Sequence, residues 1–226
     1  HADYSVVTAR VQGTEKVAPF IVPTWLTKED KENYRRNGHV LNRLKRKLGT
    51  CELPSGEITY EGAVAYPVGP LEKGVSLAVS IVLTRSRIDI AFGSAGSMTR
   101  AASEVLLYTR FREVFGRSID EFPMAKAQIL ELEDAAKRTT ATAFHIYKLY
   151  VKLEKQLQAG VETDDVKLQQ FLLRELILLQ KVFSAEETVL QLRNAISLFG
   201  GHGAIEDFSS IPRLFRDSIV NELWEG

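Results

Sequence analysis

The residues best able to do chemistry lie at the C-terminal end, from Ala195 onward. Gly200-Gly-His-Gly203 is a glycine-rich turn, and without Cβ atoms in the way its backbone amides can come close to an anionic ligand. Arg216-Asp217 follows, then Trp224-Glu225-Gly226. Glu225 beside Trp224 is a carboxylate whose charge state burial could tune. The plainer reading of this stretch is a helix ending at Gly200, a loop and an amphipathic terminal helix.

Other segments offer weaker chemistry. Arg35, Arg36, Arg43, Lys45, Arg46 and Lys47 crowd one segment. It reads as a phosphate-binding patch or as a solvated strand edge with Leu44 and Leu48 inward, since lysines on an edge discourage pairing. Gly93, Ala95, Gly96, Ser97, Ala101 and Ala102 form a small-residue stretch that admits another helix or a flat ligand. Cys51 is the single cysteine, which excludes an internal disulfide and a cysteine zinc site. A reducing compartment, mitochondrial matrix or cytoplasm, is the simpler assumption. The histidines lack metal-ligand spacing, so His202 reads as a loop residue and His145 as helix surface or core. Lys plus Arg and Asp plus Glu number 29 each, so no global charge draws the chain to nucleic acid or an anionic membrane. No apolar run reaches the ~18 residues of a membrane span.

These groups need elements to position them. With 226 residues the chain can form one large domain or two small ones with a real core. The pattern predicts an α+β fold: a partial β-barrel or sandwich over residues 1–72, the later part of a middle β-domain, then an antiparallel four-helix bundle over 73–226. Ser5–Val11 is rich in β-branched residues. Pro19-Phe-Ile-Val-Pro23 is bracketed by prolines and reads as an edge or terminal strand. Thr27–Asp30 reads as a polar loop or a single helical turn, and Glu57–Glu61 alternates as a strand. Residues 75–115 read as a helix stopped at Gly116. Ser118 or Asp120 caps the next one, which runs to Gly160. Thr163 caps a third helix. Its run from Phe171 to Phe183 is apolar on nearly every face, as in a bundle centre or a subunit interface. The chain opens at His1 without an initiator Met or a signal-peptide pattern, so a longer parent protein is expected.

In this order, four motifs resemble the acyl-CoA dehydrogenase family: Lys47-Leu-Gly-Thr50 leading to Pro54-Ser-Gly-Glu-Ile-Thr-Tyr60, Arg112-Glu-Val-Phe-Gly116, Gly200-Gly-His-Gly203, and Arg216-Asp217 with Trp224-Glu225-Gly226. The resemblance spans essentially the whole chain and is similar in flavour to the alkylation-response branch. It implies that an N-terminal helical domain, the first half of the β-domain and a final helix stand outside this chain.

The resemblance also implies an oxidoreductase acting on CH–CH bonds. A carboxylate removes the α-proton of an acyl-CoA while the β-hydrogen leaves as hydride to FAD. Glu225 matches the base, and Trp224 the apolar wall that tunes it. Some members carry the base before an arginine in the first bundle helix; that position is Ser86, before Arg87, and serine cannot serve. Arg87 and Trp224 are expected against the substrate. Arg112, Phe115, Ser197, Gly200, Gly201 and Gly203 are expected against FAD, Arg112 and Phe115 often from a partner subunit. Ser197 stands where the family has Gln, and Ala204 where it has an aromatic residue. The implied partners are an acyl-CoA, electron-transfer flavoprotein as acceptor, and further copies in a homodimer or homotetramer. A second reading is a stress-response protein on the same scaffold that binds FAD and acyl-CoA, or nucleic acid, with little turnover. A third is a bundle that has lost its ligand.

Overall fold

A computed structural model describes residues 2–224, so Glu225 and Gly226 lie outside the described residues. The chain divides into two compact units. One comprises the residues up to Lys47 with Cys51–Leu83, and the other Leu48–Thr50 with the residues from Thr84 on.

In the first unit β1 (Tyr4–Arg10) pairs antiparallel with β2 (Val17–Pro23), from Tyr4 opposite Pro23 to Arg10 opposite Val17. A short strand, Tyr66–Pro67, closes the other side of β2, so β2 is central rather than at the edge. Its prolines tolerate this because the third strand covers only Phe20 and Ile21. Pro19, which has no N–H to give, accepts from the Val68 N–H (2.9 Å). A helical turn, α1 (Lys28–Glu32), starts with a capping box between Thr27 and Asp30.

A separate hairpin joins β3 (His39–Leu44) to β4 (Gly56–Tyr60). Leu44 and Leu48, expected inward, are both 57% exposed. The basic run is largely spent locally. Arg43 grips Glu57 through two bonds of 2.7 and 2.8 Å, and Arg35 pairs with Glu29 at 3.0 Å. The Arg43 guanidinium, helped by Lys45, holds the Glu57 carboxyl below its ordinary range. A phosphate patch is therefore a poor description of this segment.

Gly74 opens α2 (Gly74–Leu77) against β2; a Cβ there would lie 2.2 Å from the Val17 carbonyl oxygen. A π-helical stretch, Ala78–Leu83, leads to α3 (Thr84–Phe111), α4 (Pro123–Gln158), α5 (Asp164–Leu198) and α6 (Ile211–Leu223). The first long helix stops at Phe111, not at Gly116. Neither Ser118 nor Asp120 caps α4. Phe122 occupies the cap without a side-chain bond, Pro123 supplies the fixed φ of the first turn, and Ser118 Oγ donates to Asp120 Oδ1 (2.7 Å). Thr163 caps α5 as expected, accepting from the Val166 N–H (3.3 Å).

Packing shows the helix directions. Ile88 near the start of α3 clusters with Val166, Leu173 and Ile177 from the first half of α5, and with Ile146 and Leu153 from the second half of α4. Met98, Ala101 and Val105 cluster with Leu192 and Ala195, and with Ile129 and Leu132 from early α4. So α3 and α5 run parallel and α4 opposes both, as in an up-down bundle. Between the clusters, α5 buries Lys181, Ser184, Thr188 and Gln191. The apolar run on α5 is not surrounded by its own chain: Leu173 and Ile177 point inward, whereas Phe171, Leu172 and Phe183 are exposed.

Candidate functional site

Where α3 ends, the chain makes a tight hairpin. Strand β6 (Glu113–Val114) pairs with β7 (Arg117–Ser118). The connecting residues Phe115 and Gly116 both have positive φ, 50° and 79°. Two left-handed residues in succession suit the strand twist, but a bulky residue there costs on the order of 1–3 kcal/mol. Phe115 gains nothing in return from this chain, being 96% exposed. Arg112, at the base of the hairpin, is also exposed, and its guanidinium pairs with no described residue. The neighbouring arginines differ: Arg110 faces Asp120 at 3.8 Å and Arg117 lies over the Phe122 ring at 5.5 Å.

The glycine turn sits at the same end of the bundle. Gly200 stops α5 with φ +56°, and Gly200–Ala204 forms a 3₁₀ turn. Gly203 is buried, and a Cβ on it would lie 2.2 Å from the Ile196 carbonyl oxygen. Gly201 is exposed and a Cβ there would meet nothing within 4 Å. Only Gly201 therefore leaves backbone open to a ligand without a demand from the fold itself. Ser197 is exposed, with its hydroxyl donating to the Arg193 carbonyl (3.2 Å).

An aromatic box behind the turn has no signature in the sequence. Tyr108, from the last turn of α3, stacks on Phe199 at 4.4 Å, and its hydroxyl oxygen lies 2.9 Å from His202 Nδ1. His202 in turn stacks on Phe208 at 4.4 Å. His202, an exposed residue of the turn, is thus also a member of this box. Arg112 donates its backbone N–H to the Tyr108 carbonyl (2.8 Å), so Tyr108 ties the hairpin to the glycine turn. His145 is exposed on α4.

Two further motifs meet elsewhere. The Thr50 N–H donates to Asp217 Oδ1 on α6 (2.5 Å). Gly49 passes so close that a Cβ would lie 2.3 Å from the Arg216 carbonyl oxygen. Arg216 itself grips Glu206 with both guanidinium nitrogens. Just past α6, Trp224 is 44% exposed and donates Nε1–H to Asn221 Oδ1 (3.0 Å). Glu225, the expected base, lies outside the described residues.

Arg87 is half-buried near the start of α3, roughly 35 Å along the helix from Arg112 at a rise of about 1.5 Å per residue. Gly93 and Gly96 are exposed with nothing within 4 Å of a Cβ, so this part of the small-residue stretch faces an open trough also lined by Ser97, Arg100 and Arg213. The described site residues therefore form an end-of-bundle group, with Arg87 in the first turn of α3 and Trp224 just past α6 standing apart from it. Among the described residues there is no cluster of His, Cys, Asp or Glu able to hold a metal, and no helix long and apolar enough to cross a membrane.

Residues 72–226 match the family model for the acyl-CoA dehydrogenase C-terminal domain. Over 202 residues, 89% of the chain, it is 31% identical to acyl-CoA dehydrogenase family member 11 of Caenorhabditis elegans, of which it covers 31%. Across its whole length it is 26% identical to the putative acyl-CoA dehydrogenase AidB of Escherichia coli, covering 38% of it. The crystal structure of C. elegans ACDH-11 in complex with C11-CoA superposes on all of the chain with a TM-score of 0.84 at 28% identity, and the chain covers 37% of it. The chain thus spans about a third of the length of these relatives.

Proposed function

Because the chain belongs to the acyl-CoA dehydrogenase family, we propose that it forms the C-terminal part of a FAD-dependent enzyme that converts an acyl-CoA to a 2-enoyl-CoA. FAD, when bound, accepts the β-hydrogen as hydride. Glu225 removes the α-proton, and the electron pair left on the α-carbon becomes the new double bond as the hydride departs. The α-proton is weakly acidic, so the carboxylate must be close and shielded from water. Trp224 supplies an apolar wall beside it.

The observation that carries this reading is Phe115, an aromatic ring held in a strained left-handed conformation at 96% exposure. A strained, uncovered aromatic beside an unpaired arginine suits a flat cofactor with a pyrophosphate. The ring packs on it, and the guanidinium forks onto phosphate oxygens. Gly201 offers open backbone for the same ligand, with Gly200 and Gly203 shaping the turn and Ser197 at its approach. Arg87, on α3, faces the acyl-CoA. We place the domain boundary at residue 72, where the family match begins, while the compact units themselves divide between Leu83 and Thr84; electron-transfer flavoprotein is the proposed acceptor. The test is the absorbance spectrum of the full-length protein. We expect a bound flavin that bleaches anaerobically with one member of a chain-length series of acyl-CoAs. A colourless protein that takes up no FAD would overturn the reading.

We further propose that the exposed face of α5 is where the chain assembles into a dimer or tetramer. Phe171, Leu172 and Phe183 are 59%, 50% and 66% exposed there, an unusual apolar outlay for a surface helix. Leu172→Glu with Phe183→Glu should lower the solution mass to that of a smaller assembly, read by light scattering. An unchanged mass would exclude this face.

A further inference from the structure

We propose that Asp217 is a positioning residue for proton abstraction, holding α6 against the Leu48–Thr50 loop so that the chain leaving the helix at Trp224 delivers Glu225 to the substrate. The inference rests on the reading of Glu225 as the base.

The contact is built for closeness. Asp217 Oδ1 accepts the Thr50 N–H at 2.5 Å, across a sequence separation of 167 residues. A carboxylate accepting a backbone N–H makes a charge-assisted bond, stronger than a neutral one. Thr50 takes a left-handed φ of +51° at this contact. Gly49 clears the way, since any Cβ there would strike the Arg216 carbonyl. On its other side Arg216 is clamped to Glu206. The middle of α6 is therefore held from two directions, while past its end Trp224 is 44% exposed and, among the described residues, its indole N–H bonds to Asn221 of the same helix.

The lever arm is short enough to matter. From Asp217 to the helix end at Leu223 is about 9 Å at the usual rise, so a tilt of roughly 6° about the contact moves that end by about 1 Å. A misplacement of that size can cost on the order of 10²-fold in rate without weakening binding.

The experiment uses the full-length flavoprotein in anaerobic rapid mixing with the acyl-CoA that bleaches wild type fastest. Asp217→Ala should slow the limiting rate of flavin reduction by about 10- to 100-fold while the acyl-CoA Kd stays within about threefold. Asp217→Asn should recover to within about threefold of wild type, because an amide oxygen accepts the same N–H. Asp217→Glu keeps the charge but displaces the acceptor by a methylene, and should be slow. It also serves if the alanine variant does not fold. A merely structural contact would lower the melting temperature without separating rate from binding. Wild-type limiting rates in the Ala or Glu variant, or Asn as slow as Ala, would overturn the proposal. Glu225→Gln separates the two failures. If it bleaches at the wild-type rate the base assignment itself falls. If it is inert while Asp217→Ala is fast, only the positioning role falls.

Discussion

Glu225→Gln in the full-length protein should keep its flavin and its affinity for acyl-CoA, yet lose flavin reduction by about 10³-fold or more. Glutamine has nearly the shape of glutamate but cannot take a proton, so the substitution removes only the acceptor. General base catalysis is commonly worth about 10²- to 10⁴-fold, and the upper part of that range applies when the proton is weakly acidic. The alternative position before Arg87 holds Ser86, which is neutral and cannot replace Glu225. Bleaching within tenfold of wild type would remove Glu225 from the mechanism.

The second large effect separates the glycines of the turn. Gly203→Ala should destabilise the bundle by about 2–3 kcal/mol, because the new methyl group meets a backbone carbonyl that cannot swing away. The Ile196 oxygen would stand 2.2 Å from it, within the last turns of α5. For a chain of this size that corresponds to a drop of about 5–10 °C in Tm. Gly201→Ala meets nothing within 4 Å and should leave Tm within about 1 °C. If backbone at Gly201 approaches the cofactor, the same methyl group should weaken FAD retention about tenfold. Thermal melts and flavin content after gel filtration check both. A Gly203→Ala protein as stable as wild type would show that the turn relaxes, and full flavin retention in Gly201→Ala would place the cofactor elsewhere.

What the sequence determined by itself is what local chemistry encodes. Helical periodicity with Thr163 before α5 and Gly200 after it settled that helix to within a residue, because a cap and a left-handed glycine act on their immediate neighbours. The four family motifs were legible for the same reason. Where two local outcomes compete, the sequence was ambiguous. Gly116 can stop a helix or close a hairpin, and the hairpin prevails because the Ile119 N–H bonds back to the Arg112 carbonyl (3.1 Å). The prolines of β2 marked it as an edge, yet the third strand is too short to need their N–H groups. Only the tertiary structure decided that Tyr108 meets His202, 94 residues away, and that Thr50 meets Asp217. Such contacts leave no period or spacing behind. They arise when the packed helices bring distant turns together, after the local choices have been made.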